Sequence, residues 1–327
     1  TVDRLSSVIF NLKEELAHKQ LFAMRKLGEE EQWHVDEKLI ECSFQSKLGE
    51  GGFGSFFQGK YLHTDVALKV QKVAAQQEHM ISLSHELRVF RHLRHPNIVS
   101  LYGACILPDE GEILLVQELV KGTTLHEAIS HSDIIADDDA CLSVLTGIFS
   151  AILYLHMQTP PVVHGDLKPQ NVMLTSESRK PQLIDFGLSW KSYHSSKIHG
   201  GSWMWSSPEA LSKAGRHCPM DIFSFGRLAF FVTTRREPFA DIEQEQLRAL
   251  VESQSTAKLD WPETMTSIQS EVSRLAKKCM EADPESRPTA DAAYQQLQAI
   301  SFAEQASVSH ELRACLRNFR SKASASL

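Results

Sequence analysis

Apolar positions in the first part of the chain recur with the spacing of one helical face. Leu5, Ile9, Leu12 and Leu16 follow one another at intervals of four, three and four residues, with charged residues between them. The seam weakens after Leu16, so it is too short for a strong coiled coil. We predict a helix over residues 1 to about 35. It either docks on its own domain, which the short seam favours, or mediates self-association or partner binding.

From Phe44 onward, short apolar runs separated by polar turns replace this spacing and predict strands. These runs include Val66–Val70, Ile98–Tyr102 and Ile113–Val116. Helical periodicity returns in the second half of the chain. One helix is predicted to start at the acidic cap Asp137–Asp139 and to end at His156. A second, buried helix is predicted over Ile222–Thr233. Strands therefore concentrate in the first part of the chain and helices in the second.

Composition narrows the class of protein. The chain has 327 residues, of which 42% are hydrophobic and 23% charged, and its formal net charge is −7. That is enough apolar sequence for one domain with extensions, and the mild acidity gives no reason to expect nucleic acid as a partner. Six scattered cysteines without a Cys-x-x-Cys pair indicate reduced thiols, so we expect a cytoplasmic protein. We expect no membrane span, because no apolar run approaches about 20 residues.

A polar hairpin between two apolar runs, within Val162–Leu174, carries the candidate chemistry. Asp166 can accept a proton from a hydroxyl group, and Lys168 can pair with a phosphate. Asn171 offers an amide oxygen suited to a hard cation such as magnesium. A second predicted strand ends in Asp185, another oxygen ligand. An aspartate alone in a polar loop would be interpreted as a turn former, but this ordered set contains the parts that phosphoryl transfer needs.

A glycine-rich stretch precedes this hairpin in the chain. It reads Leu48-Gly49-Glu50-Gly51-Gly52-Phe53-Gly54-Ser55-Phe56. Dinucleotide-binding folds use the same glycine spacing, but in them a helix follows the third glycine. Here a polar turn and the run Val66–Val70 follow, so we predict a hairpin whose return strand carries Lys69. Glycines let the backbone approach phosphate oxygens, and a lysine can neutralise those oxygens.

Taken together, these motifs resemble those of eukaryotic protein kinases. His164-Gly165-Asp166 is similar to the family's His-Arg-Asp motif, and Asp185-Phe186-Gly187 matches its Asp-Phe-Gly motif. The sequence Lys168-Pro169-Gln170-Asn171 resembles that of kinases specific for serine and threonine. Gly165 and the Met204-Trp205 region resemble the tyrosine-kinase-like group of serine/threonine kinases. The resemblance covers about residues 44–300.

The resemblance implies an α+β chain with the two-lobed protein kinase fold. A small antiparallel-sheet lobe with helix C would cover residues 44–120, and a larger, mainly helical lobe residues 121–302. Residues 1–43 would form a helical extension and linker, and residues 303–327 a helix and a disordered tail. The implied activity is transfer of the γ-phosphoryl group of ATP to a Ser or Thr hydroxyl of a protein substrate, with ATP and Mg²⁺ as cofactors.

The resemblance also implies roles for individual residues. Asp166, Lys168 and Asn171 would be catalytic, and Asn171 and Asp185 would hold magnesium. The implied nucleotide-binding residues are Leu48, Gly49, Glu50, Gly51, Gly52, Phe53, Gly54, Phe56, Ala67, Lys69, Glu86, Gln117, Glu118, Val120 and Asp185. In this set the glycine-rich loop would cover the phosphates, and the backbone of residues 118 and 120 would meet the adenine edge.

Three supporting contacts are implied as well. Glu86, in the stretch that matches helix C, would anchor Lys69 through an ion pair. Asp221 would hold the backbone of the catalytic loop from below. Arg287 would be the structural partner of Glu209, in a Ser-Pro-Glu sequence that replaces the family's Ala-Pro-Glu. None of these roles is catalytic.

Two departures from the family pattern affect the hypothesis. Gly165 replaces an arginine that in many kinases receives a phosphate on the activation loop, so we expect weak dependence on phosphorylation of that loop. Phe56 stands where the family has a valine above the adenine, and its ring could crowd the pocket or stack on the base. The rival hypothesis is a catalytically silent, kinase-like scaffold. The intact set of five functional residues speaks against it: Lys69, Glu86, Asp166, Asn171 and Asp185.

Overall fold

A long first helix, α1 (Val2–Glu30), leads into a sheet and then into a mainly helical second lobe. The structure is a computed structural model that describes residues 2–51, 54–72, 87, 90–130, 137–186, 190–191, 200–211, 217–243, 245–246, 249, 253 and 258–303. Within these ranges the architecture is α+β and two-lobed, which confirms the predicted fold class.

The small lobe is built on a five-stranded antiparallel sheet, as predicted. Its strands are β1 (Ile40–Gly51), β2 (Gly54–Tyr61), β3 (Thr64–Lys72), β4 (Leu101–Leu107) and β5 (Glu112–Glu118), in the order β1-β2-β3-β5-β4. The first strand already begins at Ile40, four residues before the expected start of the lobe. Because side chains alternate along a strand, Val66 and Leu68 pack on the outer face while Lys69 lies on the inner face.

The predicted strand Ile98–Tyr102 is wrong in its bounds, because β4 begins three residues later and continues to Leu107. The first part of this apolar run contacts the large lobe instead. The Val99 N–H donates to the Leu183 carbonyl at 3.0 Å, and the Leu183 N–H donates to the Asn97 carbonyl at 2.8 Å. A run of buried apolar residues thus links the lobes before the strand starts, which periodicity alone does not distinguish from a strand.

The carboxyl-terminal part of α1 docks on β4. Leu21 and Met24 are buried in the main core, as is Trp33 just beyond the helix. The Ala104 N–H in β4 donates to the Trp33 carbonyl at 3.0 Å. Gly103 permits this close approach, because a Cβ there would lie 2.6 Å from the same carbonyl oxygen. The end of α1 is therefore attached to the small lobe by apolar packing, and the segment that follows it by backbone hydrogen bonds.

The large lobe is mainly helical over its described residues. Its helices are α2 (Leu125–Ser130), α3 (Asp138–His156), α4 (Cys218–Thr234), α5 (Ser267–Cys279) and α6 (290–303). Its strands are β6 (Gly122–Thr124), β7 (Val162–Val163), β8 (Val172–Thr175), β9 (Pro181–Leu183) and β10 (Trp190–Lys191). Strands β6, β8 and β9 form one small sheet, and β7 pairs with β10. Short 3₁₀ turns occupy Glu37–Leu39, Pro169–Asn171, Gly200–Trp205, Pro208–Leu211 and Pro284–Ser286.

Helices α3 and α4 form the centre of the large lobe. The predicted acidic cap of α3 is confirmed, because the Asp137 side chain accepts the Ala140 N–H at 2.7 Å. Within the described ranges, α3 alone has the length and apolar composition to cross a membrane, but Ile148 and Phe149 are fully buried in the core. α4 is buried on all sides along most of its length, as predicted. It provides a rigid base beneath the candidate site.

Candidate active site

The predicted catalytic loop lies between β7 and β8 and is organised around one carboxylate. Lys168 Nζ donates to Oδ2 of Asp166 at 2.7 Å. Asn171 Nδ2 donates to the same oxygen at 2.9 Å and to the main-chain carbonyl of Asp166 at 2.8 Å. Asn171 is placed by the 3₁₀ turn Pro169–Asn171, which proline favours at its first position. The three residues predicted to be catalytic therefore converge at Asp166.

Asp221 of α4 holds this loop from below, as predicted. Its carboxylate accepts the N–H groups of His164 at 2.8 Å and of Gly165 at 2.9 Å. Nε2 of His156 lies 2.9 Å from the same carboxylate. Burial by itself raises the pKa of Asp221, but the hydrogen bond and the charge of His156 hold that pKa below its ordinary value. Gly165 has a φ of +76°, a conformation that glycine adopts without strain.

Asp185, two residues after β9, connects the large lobe to the small lobe. Its Oδ1 accepts from Lys69 Nζ at 2.8 Å, across the junction between the two lobes. The Lys69 side chain is 1% exposed and the Asp185 side chain 14%. Asp185 has a φ of +61°, which costs a non-glycine residue roughly 1 kcal/mol or more. The Ile184 N–H donates to the Asn171 carbonyl at 2.9 Å, so the two predicted metal ligands lie on directly bonded segments.

A stack of rings supports Asp185 from behind. The rings of Phe90 and Phe186 are stacked, with centroids 4.7 Å apart and planes inclined by 28°. The His164 ring lies 5.1 Å from the Phe186 ring. Both phenylalanine rings are fully buried. The stack connects the small lobe near Phe90 to the residue after Asp185 and to the start of the catalytic loop.

The glycine-rich hairpin forms the roof of the cleft. Gly54 has a φ of +138°, and a Cβ there would lie 2.4 Å from the Val70 carbonyl oxygen, so the close approach of β2 and β3 requires glycine. Phe56 is opposite Lys69 in the ladder between these strands. Lys69 Nζ lies 5.8 Å from the centroid of the Phe56 ring, within the range of a cation–π contact. The Phe56 ring thus lies beside the predicted phosphate-binding lysine.

The rest of the predicted nucleotide set lies around the end of β5. Gln117 is 3% exposed on the same face as Lys69, and its Nε2 has no hydrogen-bond partner among the described residues. An unpaired buried amide is costly, so this donor is suited to a polar ligand such as a nucleobase. The Glu118 carboxylate accepts from the Ser100 N–H at 3.1 Å and from Gln182 Nε2 at 3.3 Å, which fixes the connection between the lobes.

Some predicted positions are not described or only partly so. Gly52, Phe53 and Glu86 lie outside the described residues, so the Lys69–Glu86 ion pair stays a prediction. Leu48, Gly49, Glu50, Ala67 and Val120 lie at least partly exposed along the roof and the hinge. Sequence reasoning missed His156 and Gln182. The only signal for His156 was an ionisable residue at the end of an apolar helix.

Comparison with known families now decides the classification. A family model described as the protein kinase domain matches residues 42–297, which is most of the chain. The chain belongs to the protein kinase family. Members of this family use ATP and Mg²⁺. The match begins within β1 and ends within α6, so it includes both lobes and the whole cleft described above.

Several curated relatives of this kinase domain are similar over the same region. A protein of Acanthamoeba polyphaga mimivirus named as a serine/threonine-protein kinase/receptor is 31% identical over 268 residues, which is 80% of this chain and 16% of that protein. Mitogen-activated protein kinase kinase kinase 7 of Homo sapiens is 29% identical over 262 residues, 78% of this chain and 41% of that protein. The chain thus spans less than half the length of the relatives that it matches.

The predicted ion pair between Arg287 and Glu209 is also present in the large lobe of this kinase domain. Arg287 Nη1 and Nη2 donate to the two carboxylate oxygens of Glu209 at 2.5 and 2.9 Å. This two-pronged geometry is the strongest arrangement of a charged hydrogen bond. The Arg287 side chain is completely buried, so the pair fixes the base of the 3₁₀ turn Pro208–Leu211.

Proposed function

We propose that this kinase domain transfers the γ-phosphoryl group of ATP to a Ser or Thr hydroxyl of a protein. The observation that carries the proposal is the Lys69–Asp185 contact of 2.8 Å, made across the lobes and bonded through the backbone to the loop of Asp166. It brings a phosphate-binding cation, a metal-binding carboxylate and a proton acceptor into one cleft. Relatives of the chain are named as serine/threonine kinases, and the sequence Lys168-Pro169-Gln170-Asn171 supports the same acceptor, a Ser or Thr hydroxyl.

Asp166 is the residue that orients the acceptor hydroxyl and takes its proton. The bonds from Lys168 and Asn171 fix its carboxylate in one orientation before any substrate arrives. Such preorganisation lowers the barrier, because little reorganisation is left for the reaction itself. Lys168 is placed to contact the transferring phosphoryl group, since its amine already lies beside the oxygen that receives the proton.

Asp185 and Asn171 would hold Mg²⁺, since a carboxylate and an amide oxygen are hard ligands and kinases complete the shell with phosphate oxygens and water. When bound, Mg²⁺ neutralises the charge on the phosphates. Lys69 orients the α- and β-phosphates, and the loop from Leu48 to Gly54 covers them. Gln117 and the backbone of the hinge face the base. Among these groups, the buried amide of Gln117, which has no hydrogen-bond partner among the described residues, fits a nucleotide best.

The second candidate function is a silent scaffold, and one observation favours it. The Phe56 ring lies in the roof beside Lys69, where it could occupy space that ATP needs. The first measurement is therefore magnesium-dependent thermal stabilisation by ATP, together with phosphate transfer to a generic basic protein. It compares the native chain with Phe56→Val, which restores the usual side chain.

We expect the native chain to be stabilised by ATP with Mg²⁺ and to transfer phosphate. Phe56→Val should change the affinity for ATP and the rate of transfer by less than about fivefold, because a cation–π contact is worth only about 1 kcal/mol. No stabilisation of the native chain, followed by rescue in Phe56→Val, would establish the scaffold instead. Transfer without any dependence on Mg²⁺ would contradict the assigned roles of Asp185 and Asn171.

We further propose that α1 docks within its own chain and that residues 44–302 form the kinase domain, with β1 reaching back to Ile40. Leu21 and Met24 are already buried on the small lobe, whereas Leu16 and Phe22 are 53% and 50% exposed. Among the side chains of α1 that the structure describes, this exposed pair is the apolar surface that a dimer would use. Crosslinking the chain with and without residues 1–35 tests this: an equal monomer fraction supports docking, and a dimer lost on truncation supports self-association.

We also propose that the domain works in the cytoplasm. The described cysteines are Cys42, Cys105, Cys141, Cys218 and Cys279, and all of them carry free thiols. Burial raises the pKa of Cys105 and Cys141 to about 11 and that of Cys279 to about 12, so these thiols stay protonated and unreactive. This supports a protein that needs no oxidising compartment. Fractionation of tagged protein in cells tests it.

A further inference from the structure

The turn that ends α1 is tightly closed and lies outside the family match. The N–H groups of Trp33 and His34 both donate to the Gly28 carbonyl, at 2.9 and 3.0 Å. A Cβ at Gly28 would lie 2.9 Å from the Trp33 ring, so the indole packs directly on the last turn of the helix. These residues precede residue 42, where the match to the protein kinase domain begins. Membership of the family therefore assigns them no role.

Glu31, within this turn, connects it to the small lobe. Its Oε2 accepts from Arg91 Nη1 and also from Trp33 Nε1, the latter at 2.9 Å. The side chains of Arg91 and Glu31 are 22% and 33% exposed, so the ion pair is partly shielded from water. One carboxylate oxygen thus joins the end of α1 to Arg91, while the indole fixes the orientation of that carboxylate.

Arg91 lies at the end of the stretch that matches helix C. Its N–H donates to the Leu87 carbonyl at 3.0 Å, with the four-residue spacing of a helical hydrogen bond. The residue before it, Phe90, is fully buried, and Leu87 is buried as well. The ion pair with Glu31 therefore acts on the same helical turn that places the Phe90 ring in the core.

Phe90 connects this helical turn to the cleft. Its ring is stacked on the ring of Phe186, which directly follows Asp185. In the same structure, Asp185 accepts from the buried amine of Lys69 at 2.8 Å. The turn after α1 is thus linked to the proposed metal ligand by one ion pair, one helical turn and one pair of stacked rings.

We propose that Glu31 is a positioning residue for phosphoryl transfer, which holds Arg91 and thereby keeps Phe90 stacked on Phe186 beside Asp185. This inference rests on the proposed kinase function. The turn of Glu31 contains none of the proposed catalytic or nucleotide-binding residues, so Glu31 acts through Arg91. Since the ion pair is present while Asp185 contacts its lysine partner, α1 supports the assembled cleft. A change that pulls α1 away from the small lobe lowers the rate of transfer.

The exposure of the pair limits how strongly it can act. A contact can favour the assembled cleft by no more than its own interaction free energy, and partly exposed ion pairs contribute little by themselves. The Trp33 indole restricts the Glu31 carboxylate in advance, which reduces the conformational entropy that pairing costs. We therefore expect a moderate fall in the rate of transfer when the pair is removed, and not a complete loss of activity.

The test compares Glu31→Met, Arg91→Met and the double variant with a matched control in the full chain. Methionine is similar in length to glutamate and reaches along the arginine side chain, but it can neither accept nor donate these hydrogen bonds. Glu29→Met is the control, because Glu29 also forms an ion pair near the end of α1, but with Arg25 of the same helix. Initial rates give kcat and the KM for a generic basic protein, and thermal unfolding gives stability.

We expect kcat to fall by about fivefold in each single variant, the effect of losing one partly exposed ion pair. The double variant should fall by no more than either single variant, because all three remove the same contact. The KM for the basic protein should stay within about twofold, and Glu29→Met should match the native chain. An unchanged kcat in Glu31→Met would overturn the proposal, even if the protein were less stable. So would losses that multiply in the double variant, since the two residues would then act separately.

Hydrogen exchange gives a readout that does not depend on activity. In Glu31→Met we expect faster exchange at residues 90–93 and 184–186, and unchanged protection at residues 220–232 of α4. Faster exchange that is confined to residues 30–35, or found nowhere, would overturn the proposal, because the contact would then not reach the cleft. A native chain that binds ATP but phosphorylates no protein would contradict the proposed function, whereas exchange at residues 184–186 would still report on Glu31.

Discussion

The two aspartates of the cleft are held in opposite ways. Asp166 is paired with Lys168, two residues further along the same loop. Asp185 is paired with Lys69, which lies 116 residues away in the other lobe and is almost completely buried. The first contact forms whenever the loop folds, while the second requires the lobes to be together. The proposed proton acceptor, Asp166, is therefore preorganised locally, whereas the position of Asp185, the proposed metal ligand, depends on the global fold.

The largest effect is expected from breaking the contact between the lobes. Lys69→Met leaves Asp185 without its buried cation, so we expect phosphate transfer to fall by more than about 100-fold and the free energy of unfolding to fall by about 3 kcal/mol. Urea unfolding and initial rates of transfer measure both. Lys47→Met is the control: Lys47 also pairs with a carboxylate, that of Glu50 at 2.6 Å, but on the surface. That change should lower the free energy of unfolding far less, because exposed ion pairs contribute little to stability. Equal losses in the two variants would contradict the comparison.

Asp166→Asn should separate catalysis from stability. The amide keeps the shape of the side chain but cannot take a proton, so we expect transfer to fall by about 10²–10⁴-fold. Stabilisation by ATP with Mg²⁺ should persist, because the Lys69–Asp185 contact is untouched. Thermal unfolding with and without nucleotide, beside a transfer assay, checks this. Asp109→Asn, at an exposed position, should alter neither quantity. Retained transfer in Asp166→Asn would overturn its assigned role.

A smaller effect is expected at the support beneath the catalytic loop. In Asp221→Asn one acceptor oxygen is lost to the N–H groups of His164 and Gly165, so the free energy of unfolding at neutral pH should fall by about 2 kcal/mol. The folded-state pKa of Asp221 lies below its ordinary value of 3.8. Its ionised form therefore stabilises the fold above about pH 4, and that contribution is lost as the pH falls further.

Urea unfolding of both proteins between pH 7 and pH 3 tests this linkage. The difference between native chain and Asp221→Asn should be constant at the upper end and should narrow below about pH 4. Asp260→Asn, at an exposed position, provides the matched control. A difference that widens toward pH 3 would contradict the direction of the pKa shift.

Sequence reasoning succeeded where short motifs carry the geometry with them. The offsets between Asp166, Lys168 and Asn171 keep the three side chains within one short loop, so their convergence could be predicted. The predicted hairpin within Val162–Leu174 was wrong, because β7 pairs with β10 and β8 pairs with β6 and β9. The strand at Ile98 was wrong in its bounds, because its first residues pair with the other lobe and periodicity does not report on distant partners. In the sequence, Arg227 is only a charged residue within the apolar run Ile222–Thr233. Its hydrogen bonds go to the main-chain carbonyls of Trp203 and Met204, and side-chain patterns do not encode such partners.

The smallest effect is expected from the hydroxyl residues between β10 and the Gly200–Trp205 turn. Ser192, Tyr193, Ser195 and Ser196 lie outside the described residues, and the prediction about them rests on Gly165. With glycine there, a phosphate on the loop lacks the cation that many kinases place at this position. Replacing all four hydroxyl residues, with Ala for Ser and Phe for Tyr, should therefore reduce transfer by less than about twofold.

Gly165→Arg sharpens this prediction. At a φ of +76°, an arginine would cost about 1–2 kcal/mol of backbone strain, which only a new ion pair would repay. In that background, removing the four hydroxyls should reduce transfer more than it does in the native chain, and phosphatase treatment should do the same. A near-total loss of transfer on removing the hydroxyls from the native chain would contradict the prediction. It would mean that some other cation receives the phosphate, and hence that local control of Asp166 is incomplete.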